Sequence, residues 1–361
     1  MKQFTITGKG IVLATRLLFA SAALTALPSC QGIGPGAGEA RTQIRAVGSS
    51  TVYPFSTAVA ENFMRKNPRF RPPIIESTGT GGGMKLFCGG IGSQHPDIEN
   101  ASRRIKPSEI ATCRANGVTN IIELKVGLDG IVLAQSNRAP AFDLTPRDIY
   151  AALAATPFGR PNRATLWRDV NPALPAEQIR VYGPPPTSGT RDALTELVLE
   201  AGCAADPAMA ALKKSDERRF RQICGKVRED GAYIEAGEND NLLVQKIEAN
   251  PGSIGIFGYS YYEENEKQLT GLPINGVSPG YDAISSGRYL ASRPLFLYIK
   301  GAHLRAVPGI REFLAEFSRE ASWGPGGYLA RRGLIAMPAA ERARYAAIAR
   351  SMIPMDLASV Q

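Results

Sequence analysis

The sequence predicts an α/β protein of two lobes, on three observations. Strand-length apolar segments alternate with amphipathic helical segments from Ile44 onward, the order expected of an α/β sheet. About 320 residues remain once the N-terminal segment is set aside, more than one hydrophobic core usually covers. Two segments, within 126–135 and 291–300, are apolar on both faces, as central strands are, and their pairing would form a hinge. The expected divisions are lobe I over 42–137, lobe II over 138–285, and a return to lobe I over 286–361.

The N-terminus is read separately. Lys2 and Lys9 precede IVLATRLLFASAALTAL, interrupted only by Arg16, and Pro28-Ser29-Cys30 follows, the layout of a secretory signal over 1–30. Leu27-Pro28-Ser29-Cys30 also resembles a bacterial lipobox, in which Cys30 is lipidated and becomes the first mature residue; Pro28 is unusual there, and ordinary cleavage nearby is the alternative. The glycine-rich stretch over 31–41 suits a flexible tether. Without Lys2, Lys9 and Arg16 the net charge falls from +9 to +6. Basic residues come at most in pairs, with no aromatic-interleaved stripe, so nucleic acid is not an expected partner. The mild excess suits an exported protein that attracts anions.

Apart from Cys30, Cys88, Cys113, Cys203 and Cys224 remain, an even number consistent with disulfides in an exported chain. The sequential pairing, Cys88 with Cys113 and Cys203 with Cys224, closes the shortest loops, and each bridge is expected to stabilise by about 3 kcal/mol.

Along the chain, IRAVGSS reads as a strand and the segment from about residue 54 as a helix with Phe55, Ala58, Val59 and Phe63 on its apolar face. PPIIESTG is a second strand before a short helix around 84–87, and 97–102 a third strand before a helix after Pro107. Thr145 caps a helix to Leu153, with Pro146 at the favoured first position. IRVYG is a strand leading to PPPTSGTRDAL, where three prolines give way to a helix with Leu194, Leu197, Val198 and Ala201 on one face. NDNLLVQKIEAN reads as a helix, GSIGIFGYSYY as a strand, and helices near 308–320 and 340–352 end the chain.

Three helix starts share one chemistry: Gly48-Ser49-Ser50-Thr51, Thr78-Gly79-Thr80-Gly81-Gly82-Gly83 and Thr187-Ser188-Gly189-Thr190. At each, unpaired N–H groups and the helix dipole favour an anion, and hydroxyls add donors. Glycine lets a ligand approach the backbone closely. A single such start is an ordinary N-cap; two in one lobe and one in the other point to an oxyanion held between the lobes.

GSSTVYPFSTAVAENF, ESTGTGGGMKLFCGG, DIENASRRIK, VGLDGIVLA, TSGTRDAL and NPGSIGIFGYSYY stand in the order seen in bacterial phosphate-binding proteins of ABC transporters, which the chain resembles over about 44–300. The resemblance implies a type II periplasmic binding-protein fold, with two lobes closing at a hinge on inorganic phosphate. It also implies delivery to a membrane permease and often a link to phosphate sensing; a periplasmic monomer without a cofactor is expected. Carried over residue by residue, it implies phosphate contacts from Ser50 and Thr51, from Thr80 where the family commonly has serine, and from Ser188, Gly189 and Thr190. Pro184-Pro185-Pro186 stands where some members carry an arginine, which leaves Arg191 and Arg103 as candidates for charge pairing. The better-known pattern has an aspartate at the position of Arg103, an acceptor for the proton of hydrogen phosphate. Asp129, a charge in an otherwise apolar strand, is the candidate replacement; its alternative is a structural carboxylate paired with Arg103 or capping a turn.

Other classes leave less of a mark. A hydroxyl nucleophile needs a base in reach, and His95 and His303 are expected on the surface, outside any catalytic motif. No metal-ligand spacing, nucleophile elbow or phosphate loop of the GxxxxGK[ST] type occurs, so an enzyme, including a phosphatase, is not expected. A binding protein for sulfate or molybdate, or a phosphate-sensing surface lipoprotein, remains the alternative.

Overall fold

A computed structural model describes residues 41–358 apart from Thr187, Glu238 and Asn239, with the backbone alone at Asp240 and Asn241. The expected signal, Cys30 and nearly all of the tether lie outside the described residues.

Among the described residues, β1 (Arg45–Gly48), β2 (Ile74–Ser77), β3 (Ile98–Ala101), β4 (Ile121–Ser136), β5 (Val181–Gly183), β6 (Tyr233–Glu235), β7 (Ile254–Gly258), β8 (Leu269–Gly271) and β9 (Ser292–Lys300) form one connected path. Its order is β2-β1-β3-β9-β4-β7-β5-β6, with β8 also on β4. The outer pairs β1–β2, β1–β3, β5–β6 and β5–β7 are parallel, as helical crossovers require, whereas β9 runs antiparallel to both β3 and β4.

The long strand β4 explains the two lobes. Ile122, Leu124 and Val126 pack with helix Tyr53–Lys66 and helix Ile310–Phe317, while Leu128 and Ile131–Ala134 belong to a separate core with Trp167, Phe220 and Phe257. The register of β4 against β9 shifts between Lys125 and Gly127, where the two cores part. A third cluster, around Met84, Phe87, Ile110 and Tyr298, covers the other face of the first lobe's sheet. β4 and β9 pair from Ile121 to Gly130, so the two doubly apolar strands do form the shared spine.

Both sequential disulfides are present. Cys88–Cys113 joins the ends of helices Thr80–Phe87 and Pro107–Ala115, and Cys203–Cys224 joins helices Glu200–Cys203 and Glu217–Cys224. Two sequence expectations need correction. The strand read through GYSYY stops at Gly258; Tyr259–Glu264 is helical, because that turn buries Tyr259 and Tyr262 together on one face. His303 is buried, with Nδ1 2.6 Å from Asp97 Oδ1 and Nε2 2.9 Å from Ile91 O, a fully partnered core histidine.

Candidate functional site

The first loop leaves β1 through Gly48, whose φ of +126° suits glycine; a Cβ there would lie 2.2 Å from Asn100 O. Ser49 N–H donates to Asn100 O at 2.7 Å, locking the turn onto β3. The Ser49 hydroxyl accepts from Thr51 N–H at 3.2 Å and Val52 N–H at 3.4 Å, so it braces the turn that leads into helix Tyr53–Lys66. Ser50 is thereby left facing outward, and Pro54 sits in the first turn of the helix that follows.

The second loop enters helix Thr80–Phe87 through Gly79, at φ +70°. Thr80 is buried; its Oγ1 lies 3.0 Å from Ser102 Oγ and accepts from Ser102 N–H at 3.1 Å. That hydroxyl pins the helix start to the end of β3. Below it, Gly83 packs so tightly on Gly48 that a Cβ would come within 2.6 Å of the Gly48 Cα and 2.1 Å of Glu99 Oε2.

The third start belongs to the other lobe. Thr187 lies outside the described residues; Ser188 caps helix Gly189–Ala193, its hydroxyl accepting from Thr190 N–H at 3.2 Å. This helix start meets the first loop directly: a Cβ on Gly189 would stand 3.3 Å from the Cα of Thr51. Ser50 Oγ donates to Asp192 Oδ2 across the same gap, and Lys106 Nζ reaches Glu217 Oε1 at 2.8 Å. The lobes therefore face each other closely around a cavity of 360 Å³. Ser50, Tyr53 and Pro54 line it from one side, and Ser188, Gly189 and Thr190 from the other. Thr51 borders the cleft, whereas Thr80 is set back beneath it with its hydroxyl spent on Ser102.

The charged candidates are distributed differently from the sequence reading. Arg103 forms a two-pronged pair with Glu109, at 2.7 and 2.9 Å. Arg191 turns to a second cavity, where Nη1 donates to Pro184 O at 3.1 Å and Tyr233 Oη at 2.9 Å and the guanidinium stacks on the Tyr233 ring. Asp129 stands opposite Arg293 in the β4–β9 register, its Oδ2 3.1 Å from Nε, so its partner is Arg293 and not Arg103. Burial pushes the Asp129 carboxyl up, and the guanidinium beside it opposes the shift.

Three residues outside the sequence candidates tie the two sides of the cleft together. Arg293, almost wholly buried, also donates Nη2 to Thr51 Oγ1 at 2.9 Å and Nη1 to Glu196 Oε2, so one guanidinium joins the spine, the first loop and the opposite lobe. Asp192 and Glu196, one turn apart, both reach back toward the first lobe and the spine. Burial raises the Asp192 carboxyl, and the Ser50 hydroxyl pulls it back. A signal for Arg293 was present: it is a charge inside a strand apolar on both faces, the same feature that singles out Asp129.

The comparisons place the chain among known proteins of this fold. The PBP superfamily domain model matches residues 35–320. Protein SphX of Synechococcus elongatus is 34% identical over 309 residues, covering 83% of this chain and 79% of that one. The phosphate-binding protein PstS of Staphylococcus saprophyticus is 29% identical over 312 residues, covering 82% of this chain and 83% of that one. Among solved structures, a possible phosphate binding protein from Planctomyces limnophilus superposes with a TM-score of 0.67 at 28% identity, covering 85% of this chain and 98% of that one. PstS of Borrelia burgdorferi, at a TM-score of 0.55 and 17% identity over 82% of this chain and all of that one, shares the fold. With a two-lobed α/β fold, a cleft at the spine and these matches over most of its length, the chain belongs to the periplasmic binding-protein (PBP) superfamily, in the group that includes SphX and PstS.

Proposed function

We propose that the cleft binds inorganic phosphate outside the cytoplasmic membrane and hands it to the permease of an ABC transporter. The observation that carries this is the meeting of two hydroxyl-bearing helix starts across one cavity, with Gly189 against Thr51 and Ser50 beside the turn 188–190. Helix N-termini in that arrangement direct N–H groups and dipoles at a tetrahedral anion from both lobes. In this reading Ser50, Thr51, Ser188, Gly189 and Thr190 donate to the phosphate, and Thr80 contributes through the start of its helix. Relatives named phosphate-binding proteins support the same ligand.

A carboxylate among these donors bears on the choice of oxyanion. Asp192 sits against Ser50, where it would repel a fully ionised anion but could accept a proton from hydrogen phosphate. That favours phosphate over sulfate, with Asp192 in the role that the sequence reading gave to Asp129. Among the described residues no helix is long and apolar enough to cross a membrane.

Titration calorimetry on protein refolded free of ligand, with phosphate, arsenate, sulfate and molybdate, tests the reading. Phosphate and arsenate are expected to bind well below millimolar concentration and sulfate far more weakly. Failure of phosphate to bind below millimolar concentration overturns it.

A further inference from the structure

A cleft that binds a doubly charged anion gains most from a fixed cation, and both arginines nominated from sequence are committed elsewhere. Arg103 is held by Glu109 and Arg191 by Pro184 O and Tyr233. Arg293 is different. It rises from the spine strand β9, and its Nη2 touches the hydroxyl of Thr51, a residue of the first anion loop. Its three recorded contacts are unequal. Asp129 faces it across the sheet register, on the same pair of spine strands. Glu196 comes from the opposite lobe, with a side chain 42% exposed, and its Oε2 accepts from Nη1.

A buried guanidinium is costly unless its donors are paired at all times. Glu196 meets that need, and an oxyanion in the cleft would offer Nη1 the same acceptor geometry. Two negative groups cannot share one N–H without repulsion, so an arriving anion must displace Glu196, which has solvent to move into. Glu196 also lies one turn beyond Asp192, whose carboxylate holds Ser50 in the same way. The two sides of the cleft are thus bridged by carboxylates at donors that an anion would use.

We propose that Arg293 is the cationic contact for the anion and that Glu196 is its intramolecular competitor, setting affinity by occupying Arg293 and bridging the lobes until ligand arrives. The proposal rests on the phosphate reading above. It extends that reading to two residues of this chain, 97 apart in sequence, that form the exchangeable pair.

The test is a double-mutant cycle with a second, structural readout. Removing an internal competitor raises apparent affinity by the fraction of time it blocks the site, so Glu196→Gln is expected to tighten phosphate binding about five- to tenfold. In an Arg293→Lys background, which keeps the charge but loses the fork, the same substitution is expected to change affinity less than twofold. Small-angle scattering without anion is expected to show a larger radius of gyration for Glu196→Gln than for the parent. Weaker or unchanged binding in Glu196→Gln overturns the proposal. So does an equal gain in the lysine background, which would mean general charge repulsion. An unchanged radius overturns the bridging part. If the parent binds sulfate, arsenate or molybdate instead of phosphate, the phosphate reading fails, and the cycle is run with the anion that binds. If none binds, the anion-contact role falls as well.

Discussion

Asp129 and Arg293 occupy opposed positions on the two strands that carry the chain between its lobes, with Oδ2 3.1 Å from Nε. A charge pair at the spine serves both lobes: through the same guanidinium, Asp129 steadies Thr51 on one side and Glu196 on the other.

Breaking that pair is expected to act on stability before selectivity. Asp129→Asn leaves a buried guanidinium short of a charged partner, a change that costs about 3 kcal/mol. Urea unfolding of the anion-free protein measures it. Phosphate should still be preferred over sulfate in this variant; loss of the preference would return the proton-acceptor role to Asp129.

Asp192 carries the opposite expectation. Asp192→Asn removes the carboxylate beside Ser50 and, being partly exposed, is expected to cost little stability. Phosphate affinity should fall about tenfold, equivalent to one charge-assisted hydrogen bond, while sulfate binding strengthens. Calorimetry with both anions decides, and parallel losses for the two would refute the assignment.

Glu99 predicts a pH dependence of stability. Its side chain points from β3 at the contact of Gly48 with Gly83, and both oxygens are buried with no hydrogen-bond partner among the described residues. Burial holds this carboxyl protonated well above its ordinary value of 4.5. An acid with a raised folded-state value binds its proton more tightly folded than unfolded, so stability falls as pH rises from the unfolded value toward the folded one. The slope over that window is about 1.4 kcal/mol per pH unit for one such group. Glu99→Gln removes it. The stability difference between the variant and the parent is expected to move in the variant's favour between pH 5 and pH 7. A difference that stays constant would show that Glu99 does not titrate there.

The disulfides act on one lobe each. Cys88 and Cys113 enclose a separation of 25 residues and Cys203 and Cys224 one of 21, so each is expected to contribute about 3 kcal/mol through the unfolded chain. Thermal unfolding with and without reductant, in parent and in paired Cys→Ser variants, measures each bridge. Cys88→Ser with Cys113→Ser should also weaken phosphate binding, because that bridge anchors the helix that starts at Thr80. No loss on reduction in either lobe would count against both.

Much of the molecule follows from local pattern. The alternation of strands and helices, the hydroxyl-and-glycine starts at Ser50, Thr80 and Ser188, and the near-sequence pairing of the cysteines all depend on residues close in the chain. The cleft charges do not. Arg293 lies 242 residues from Thr51, 164 from Asp129 and 97 from Glu196, and no periodicity records such distances. Arg191 illustrates the same limit: its place in TSGTRDAL suggests the cleft, yet Tyr233 on a neighbouring strand offers a ring and a hydroxyl on the other side. Sequence alone determined the fold class, the hydroxyl-and-glycine helix starts and the unusual charge at Asp129. Tertiary structure alone decided which charges meet, because a buried ion is paired by whatever the fold brings within about 3 Å, and that depends on sheet order rather than on chain order.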